Sequence, residues 1–109
     1  MKKFKKKICT ISHLEKNNYI KKWVNEWKDE VIIFRHNGKI YAKSSICPHF
    51  GGPIVYNTEK KYLECYWHGL QFSAENGKCS NQKTFLACLD SYNFELKNKN
   101  IYIIKNENS

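Results

Sequence analysis

The apolar positions from residue 31 onward fall in short runs that are typical of β-strands. Residues 31–35 are rich in residues that favour β-strands, and a second strand is predicted at 39–42; the two flank Asn37-Gly38, a strong signal for a tight hairpin. Further strands are predicted at 61–65, 70–73, 92–96 and 101–104, with turns at 76–77 and 98–100. Short strands with regular turns predict an all-β fold, a small antiparallel sandwich or barrel.

The first thirty residues give a less regular pattern. Residues 8–11 are a short strand candidate. Ile20, Trp23, Val24 and Trp27 follow the spacing of one helical face, but the same stretch also fits an extended or irregular segment. Five lysines lie within the first seven residues, so we expect residues 1–7 to be a flexible basic terminus.

Length and cysteine usage restrict the class of protein. A chain of 109 residues is expected to form one domain, 1–109. It has no apolar run near the roughly 20 residues that span a bilayer, and no apolar signal-peptide core, so a cytoplasmic location is expected. Its five cysteines are odd in number and unevenly spaced. This pattern argues against a secreted disulfide scaffold and favours metal binding.

The net charge of +9 has two interpretations. A basic surface steers a protein toward an acidic partner or nucleic acid. However, the chain has 18 lysines and a single arginine, together with 12 asparagines and 11 isoleucines. Phosphate recognition favours arginine, so compositional drift explains this mixture better and nucleic acid is not the expected partner.

Two segments, 45–53 and 66–69, are rich in Gly, Pro, Cys and His, and each follows a predicted strand. They supply Cys47 and His49, then Cys65 and His68, which is C-x-H and C-x-x-H with fifteen residues between. Zinc takes two Cys and two His tetrahedrally, whereas an ordinary ferredoxin cluster takes four thiolates. A Rieske centre takes two Cys on one iron and two His on the other. Spacing alone does not separate zinc from a Rieske centre.

The residues around these ligands resemble one family. CPHFGGP at 47–53 and CYWHGLQF at 65–72 are similar to the two cluster-binding boxes of Rieske proteins. RHNGKIYA before the first box and SAENGKC after the second resemble the adjoining hairpin and turn, so that residues 31–104 follow the family's order of strands and loops.

The resemblance implies a Rieske-type 2Fe-2S cluster. Cys47 and Cys65 would bind the buried iron, and His49 and His68 the outer iron. Three glycines would let the backbone approach the cluster and donate N–H groups to it, or would serve as plain turn residues: Gly51, Gly52 and Gly69. Trp67 would shield the cluster from water or pack as an ordinary apolar side chain.

Departures from the respiratory members of the family concern the reduction potential. Those proteins carry hydroxyl side chains where this chain has Leu70 and Phe72, which cannot donate to cluster sulfurs. They also carry a disulfide between the positions of Gly52 and Trp67. The pattern resembles the soluble Rieske ferredoxins, and we expect a potential in the lower part of the family range of about −150 to +300 mV.

The expected function is that of a monomeric one-electron carrier, not an enzyme. It would take electrons from a flavin-type reductase and pass them to a terminal oxygenase or similar acceptor. A Rieske-like small subunit of a reductase, such as nitrite reductase, is one alternative, and a zinc-stabilised or redox-sensing binding module is another. The remaining cysteines and histidines are expected to be buried apolar residues and surface or turn residues, respectively: Cys9, Cys79 and Cys88, then His13 and His36.

Overall fold

The computed structural model describes residues 2–47, 51–67, 69–80 and 88–107, with the backbone alone at 2–4 and 106–107. These residues form nine strands, one short α-helix and a 3-10 turn. In chain order they are β1 (Lys2–Thr10), α1 (Ile11–Lys16), β2 (Tyr19–Val24), the 3-10 turn (Asn25–Trp27), β3 (Asp29–His36), β4 (Lys39–Ser44), β5 (Ile54–Asn57), β6 (Tyr62–Cys65), β7 (Gln71–Phe72), β8 (Asn93–Lys97) and β9 (Asn100–Glu107).

The described strands form three antiparallel sheets of three strands each, in the orders β1-β9-β8, β2-β3-β4 and β5-β6-β7. The sequence-based prediction of an all-β antiparallel fold is therefore confirmed. Neither helix among the described residues has the length and apolar composition needed to cross a bilayer.

Strand β3 lies between two hydrophobic cores. Val31 and Ile33 pack on one side with residues of β1 and β9, whereas Ile32 and Phe34 pack on the other side with residues of β5, β6 and β7. Successive residues of a strand point to opposite faces, and a core covers each face of β3, so all four side chains are fully buried. The continuous apolar run at 31–34 is thus the sequence signature of a strand covered on both faces.

The predicted hairpin at Asn37-Gly38 is confirmed. Both residues have positive φ angles, +50° and +80°, which is the combination that a two-residue type I′ turn requires. The turn at 98–100 is confirmed as well, since Asn98 and Lys99 also have positive φ and join β8 to β9. Strand β5 was not predicted, because no element was assigned to the residues between the loop at 45–53 and the strand at 61–65.

The helical interpretation of residues 20–27 is wrong. Residues 19–24 form β2, in which Trp23 pairs with Glu30 and is 51% exposed. The only α-helix among the described residues is α1, which begins after Thr10, whose side chain accepts a hydrogen bond from the amide of His13. Pairing with the strongly apolar β3 outweighs a local apolar spacing that happens to match a helix.

The expectation of a flexible terminus at residues 1–7 is also corrected. Residues 2–10 form β1, which pairs with β9 along its length. Ile8 and Cys9 are buried in the core, and Lys6 pairs with Glu26 at 2.9 Å. Local composition does not reveal pairing with a strand near the other end of the chain, so the lysines wrongly indicated a flexible terminus. The side chains of Lys5 and Lys7 are exposed, so their charges face solvent.

Candidate metal centre

Two turns of the same construction follow β4 and β6. In the first, the Cys47 amide donates to the Gly52 carbonyl and the Gly51 amide donates to the Cys47 carbonyl, both at 2.8 Å. In the second, the amide of Cys65 donates to Leu70 at 2.8 Å and the amide of Gly69 donates to Cys65 at 2.9 Å. Each turn thus begins at one of the predicted cysteine ligands.

A glycine with a positive φ angle closes each turn, Gly51 at +72° and Gly69 at +67°. Other residues adopt this conformation only with strain, which explains why both segments need glycine at that point. The amides of both glycines donate to backbone carbonyls of the cysteines, which is the turn role considered for them from the sequence.

The two thiols are buried in the same apolar core. Cys47 and Cys65 are each 1% exposed, and both belong to the apolar core around Ile54, Leu63 and Phe72. The turns are also tied together: the Tyr66 amide donates to Pro53 at 2.9 Å, and Cys65 pairs with Ile54 across β5 and β6. The fold therefore brings together two cysteines that are eighteen residues apart in the sequence.

Gly52, at the end of the first turn, lies against two residues of the second turn. A Cβ atom at this position would lie 2.9 Å from the Cys65 sulfur and 3.0 Å from Cε3 of Trp67. Real Cβ contacts are not that short, so a larger residue would displace the sulfur or the indole ring. The close contact at Gly52 is one between the first turn and the second, and the approach of its backbone to a cluster stays a prediction.

A third turn of the same kind shows what this backbone offers to its first side chain. Ser73 begins a turn that closes at Gly77, which has a φ angle of +74°, with the same two backbone hydrogen bonds. The Ser73 hydroxyl oxygen accepts from the amides of Glu75 and Asn76, at 3.3 and 3.4 Å. In this third turn two amides therefore point at the side-chain oxygen of its first residue, the position at which the other two turns carry a cysteine.

Three consecutive buried polar residues lead into the first turn, and sequence reasoning missed them. Lys43 donates to the Glu75 carbonyl at 2.9 Å and to the Ser91 hydroxyl at 2.7 Å. Ser44 and Ser45 donate to carboxylates at the start of β3, those of Asp29 and Glu30, at 2.9 and 2.8 Å. These four bonds reach three segments, so the end of β4 is fixed to the third turn, to β3 and to the segment before β8. No local signal marks these residues, because only the fold buries them.

The electrostatics of this junction follow from burial. Desolvation lowers the pKa of Lys43, whose ammonium is buried beside neutral acceptors. Asp29 accepts a hydrogen bond from the Tyr92 hydroxyl as well as from Ser44. Burial, and then the hydrogen bond to Asp29, raise the pKa of Tyr92, so its hydroxyl remains a donor at neutral pH.

For the cysteines and histidines outside the predicted ligand set, the structure confirms some of the expected locations and corrects others. Cys9 is buried and His13 exposed, as expected, but Cys79 is only partly buried and Cys88 is exposed. His36 was expected at the surface or in a turn; instead it is buried, with its Nδ1 3.0 Å from the Tyr56 hydroxyl. A histidine next to Asn-Gly looks like a turn residue. However, position 36 lies on the same face of β3 as Ile32 and Phe34, the face that packs against β5, β6 and β7.

Two of the four predicted ligands, His49 and His68, lie outside the described residues, as does Pro48. Within the described ranges, no group of three or more His, Cys, Asp or Glu side chains lies close enough to hold a metal ion. What the structure describes is the thiol half of the predicted ligand set. Two buried thiols, held at the first positions of equivalent turns, fit the two cysteine ligands of a 2Fe-2S cluster, and the remaining ligands belong to the same two turns by sequence.

Comparison with known proteins leads to the same cofactor. The profile of the Rieske 2Fe-2S domain family matches residues 4–93. Over 76 residues the chain is 33% identical to the ferredoxin component of the alkene monooxygenase system of Xanthobacter autotrophicus, which covers 68% of this chain and 61% of that protein. The chain spans between 11% and 16% of the other curated relatives it matches.

Solved structures share the fold at low identity. A ferredoxin of Sphingomonas yanoikuyae B1 matches with a TM-score of 0.77 and 12% identity, over 94% of this chain and all of that one. A putative NADH-dependent nitrite reductase small subunit from Mycobacterium tuberculosis matches with a TM-score of 0.72 and 14% identity, over 98% and 99% of the two chains.

Proposed function

Because this chain belongs to the Rieske 2Fe-2S domain family, we propose that it is a one-electron carrier whose cluster is held by Cys47, His49, Cys65 and His68. The observation that carries this proposal is the pair of equivalent turns with a buried thiol at the start of each. Such a cluster accepts and releases a single electron.

The chain's own residues would fix the cluster and adjust its surroundings. Cys47 and Cys65 would bind as thiolates on the side that faces the apolar core. Leu70 and Phe72 are buried in the same core and bring no hydroxyl to it. Because these two side chains add no hydroxyl hydrogen bond that would stabilise the extra negative charge of the reduced state, they support a potential in the lower part of the family range.

The proposed partners are a flavin-type reductase as donor and a terminal oxygenase as acceptor, and the carrier would act as a cytoplasmic monomer. The likeness to an alkene monooxygenase ferredoxin component supports an oxygenase system. The two turns, 47–52 and 65–70, contain no lysine, arginine or acidic residue. The charge of +9 therefore lies elsewhere on the chain, which favours electron transfer at the turns over phosphate recognition there.

Low-temperature EPR of the dithionite-reduced protein, purified without air, tests the proposal directly. We expect a rhombic signal with a low average g value and nitrogen hyperfine coupling, together with two irons and two acid-labile sulfides per chain. A colourless, EPR-silent protein with stoichiometric zinc would instead make the site structural.

A reductase subunit is the second candidate function, and the structural likeness to a nitrite reductase small subunit favours it. It predicts that the protein purifies with a large haem- or flavin-containing chain when it is isolated from its own cells at low salt. A carrier is expected to purify alone and to be reduced by a separate flavoprotein. Gel filtration with absorbance recorded at flavin and haem wavelengths distinguishes the two.

A further inference from the structure

The second turn carries two neighbouring aromatic side chains that are both largely exposed, Tyr66 at 76% and Trp67 at 62%. They differ in what they contact. The Trp67 ring lies against the first turn, since Cε3 and Cδ2 are 3.0 and 3.1 Å from the point where a Gly52 Cβ would stand. The link that Tyr66 makes between the turns is a backbone bond, its amide donating to Pro53 at 2.9 Å.

The same point beside Gly52 is 2.9 Å from the Cys65 sulfur. The position beside Gly52 therefore contacts both the buried sulfur of Cys65 and the exposed indole of Trp67. Cys65 is 1% exposed although the two residues after it are the most exposed large apolar side chains described in the chain. The ring of Trp67 and the Cys65 sulfur thus contact the same point on the first turn.

We propose that Trp67 is a positioning residue, which we call the clamp. Its indole packs against Gly52, joins the two turns and keeps water from the Cys65 sulfur. This inference rests on the proposed cluster site. Among the described residues, the strand pair Ile54–Cys65 and the Tyr66–Pro53 bond join the turns on the β5–β6 side of Trp67. The apolar contact of the indole with Gly52 adds to these links, since an aromatic ring contributes a large contact area at little conformational cost.

The clamp has two measurable consequences. Separation of the turns exposes the thiolate and lets the cluster dissociate, so removal of the ring accelerates cluster loss. Water that reaches the sulfur stabilises the more negative, reduced state, so removal of the ring also shifts the reduction potential to higher values.

Four proteins make the test: the wild type, Trp67→Ala, Trp67→Phe and Tyr66→Ala. Tyr66→Ala is the matched control, because it removes the more exposed neighbouring ring and keeps the backbone bond to Pro53. Cluster loss is followed by the decay of visible absorbance with an iron chelator in air, and the potential by protein-film voltammetry.

We expect Trp67→Ala to lose its cluster about tenfold faster than the wild type, which corresponds to about 1.4 kcal/mol, and to have a higher potential. Trp67→Phe retains a ring over Gly52 and is expected to restore most of the wild-type behaviour, whereas Tyr66→Ala is expected to match the wild type in both measurements. If Trp67→Ala takes up no cluster at all, cluster loss and potential are compared for Trp67→Leu and Trp67→Phe, and the clamp requires the ring to perform better than the aliphatic chain.

Equal behaviour of Trp67→Ala and Tyr66→Ala, or of Trp67→Leu and Trp67→Phe, would overturn the clamp and leave the electron carrier intact. A wild-type protein without iron would instead overturn the proposed function, so the two failures are distinguishable.

Discussion

The turn region, which comprises β5–β7 with the turns that begin at residues 47, 65 and 73, is built differently from the scaffold formed by the other two sheets. Its strands have four, four and two residues, whereas β1, β3 and β9 have nine, eight and eight. The scaffold is held by long strand pairs and by a core of buried aliphatic side chains. The turn region depends on backbone hydrogen bonds that close at glycines with positive φ.

This difference indicates which amino-acid substitutions each region tolerates. An aliphatic core accepts substitutions that conserve volume, because its stability is the sum of many small contacts. A turn that needs one backbone conformation at one residue does not. We therefore expect ligand binding to be sensitive to single positions in the turn region, and stability to be distributed broadly over the scaffold.

The largest contrast is expected between two buried cysteines, one from each region. Cys65→Ser should abolish assembly of the cluster, because a serine hydroxyl is not deprotonated as a thiol is and does not replace a thiolate ligand. Cys9→Ser should keep the cluster and lower the free energy of unfolding by about 1–3 kcal/mol, since a hydroxyl replaces a buried apolar thiol. Iron content and urea denaturation measure the two effects. A Cys65→Ser protein with a full complement of iron would remove Cys65 from the ligand set.

A pair of glycines gives the next contrast. Gly77 closes the third turn, and an added Cβ would lie 2.5 Å from the Leu89 carbonyl oxygen, which is backbone and cannot move aside cheaply. Gly38, in the scaffold hairpin, has a similar φ angle of +80° but open space around it. We expect Gly38→Ala to cost about 1 kcal/mol of stability from backbone strain and Gly77→Ala roughly 3 kcal/mol or more. Urea unfolding of both variants checks the order, and equal costs would mean that the third turn readily yields to the added carbon.

A smaller effect is expected from Phe72→Tyr, which adds one hydroxyl to the apolar core that contains both cysteines. If that hydroxyl donates to a sulfur of the cluster, the reduction potential should rise by roughly 30–60 mV, because a factor of ten corresponds to 59 mV for one electron and a hydrogen bond contributes about 1 kcal/mol. Protein-film voltammetry measures the shift. A variant with a normal EPR signal and an unchanged potential would show that the missing hydroxyl does not set the potential.

The smallest effect concerns the junction of β1 with the 3-10 turn of the scaffold. A hydrogen bond from Lys6 holds the pKa of Glu26 below its ordinary value. The pair therefore stabilises the fold above the ordinary carboxyl pKa, and this contribution is lost as the pH falls through the lower folded-state value. We expect Glu26→Gln to be slightly less stable than the wild type at neutral pH and equally stable in strong acid. Urea unfolding at both pH values tests this, and 1 M NaCl should remove the neutral-pH difference because the pair is exposed.

The sequence was most informative where a local rule fixes the structure. Asn37-Gly38 predicts its hairpin because few other residues adopt two consecutive positive φ angles. The apolar run at 31–34 predicts a buried strand. The boxes around Cys47 and Cys65 predict both cysteines at the start of loops, and the structure places them there.

Prediction from the sequence failed where contacts with residues distant in the chain determine the local structure. Residues 20–27 carry an apolar spacing that fits a helix, but the exposed edge of β3 offers β2 a strand partner. The lysines of residues 2–7 look like a free terminus, but β9 offers them a ladder of hydrogen bonds almost a hundred residues later in the chain. His36 and the polar run from Lys43 to Ser45 are buried only because other elements close over them.

The sequence by itself determined the family, the cofactor class and the turns that begin at Cys47 and Cys65, because these depend on residue identity at short spacing. Only the tertiary structure decided that the two thiols share one buried core, that Trp67 lies across Gly52, and that Lys43, Ser44 and Ser45 fasten the first turn to three other segments. Contacts of this kind join residues far apart in the chain, and their energies depend on burial, which no local pattern records.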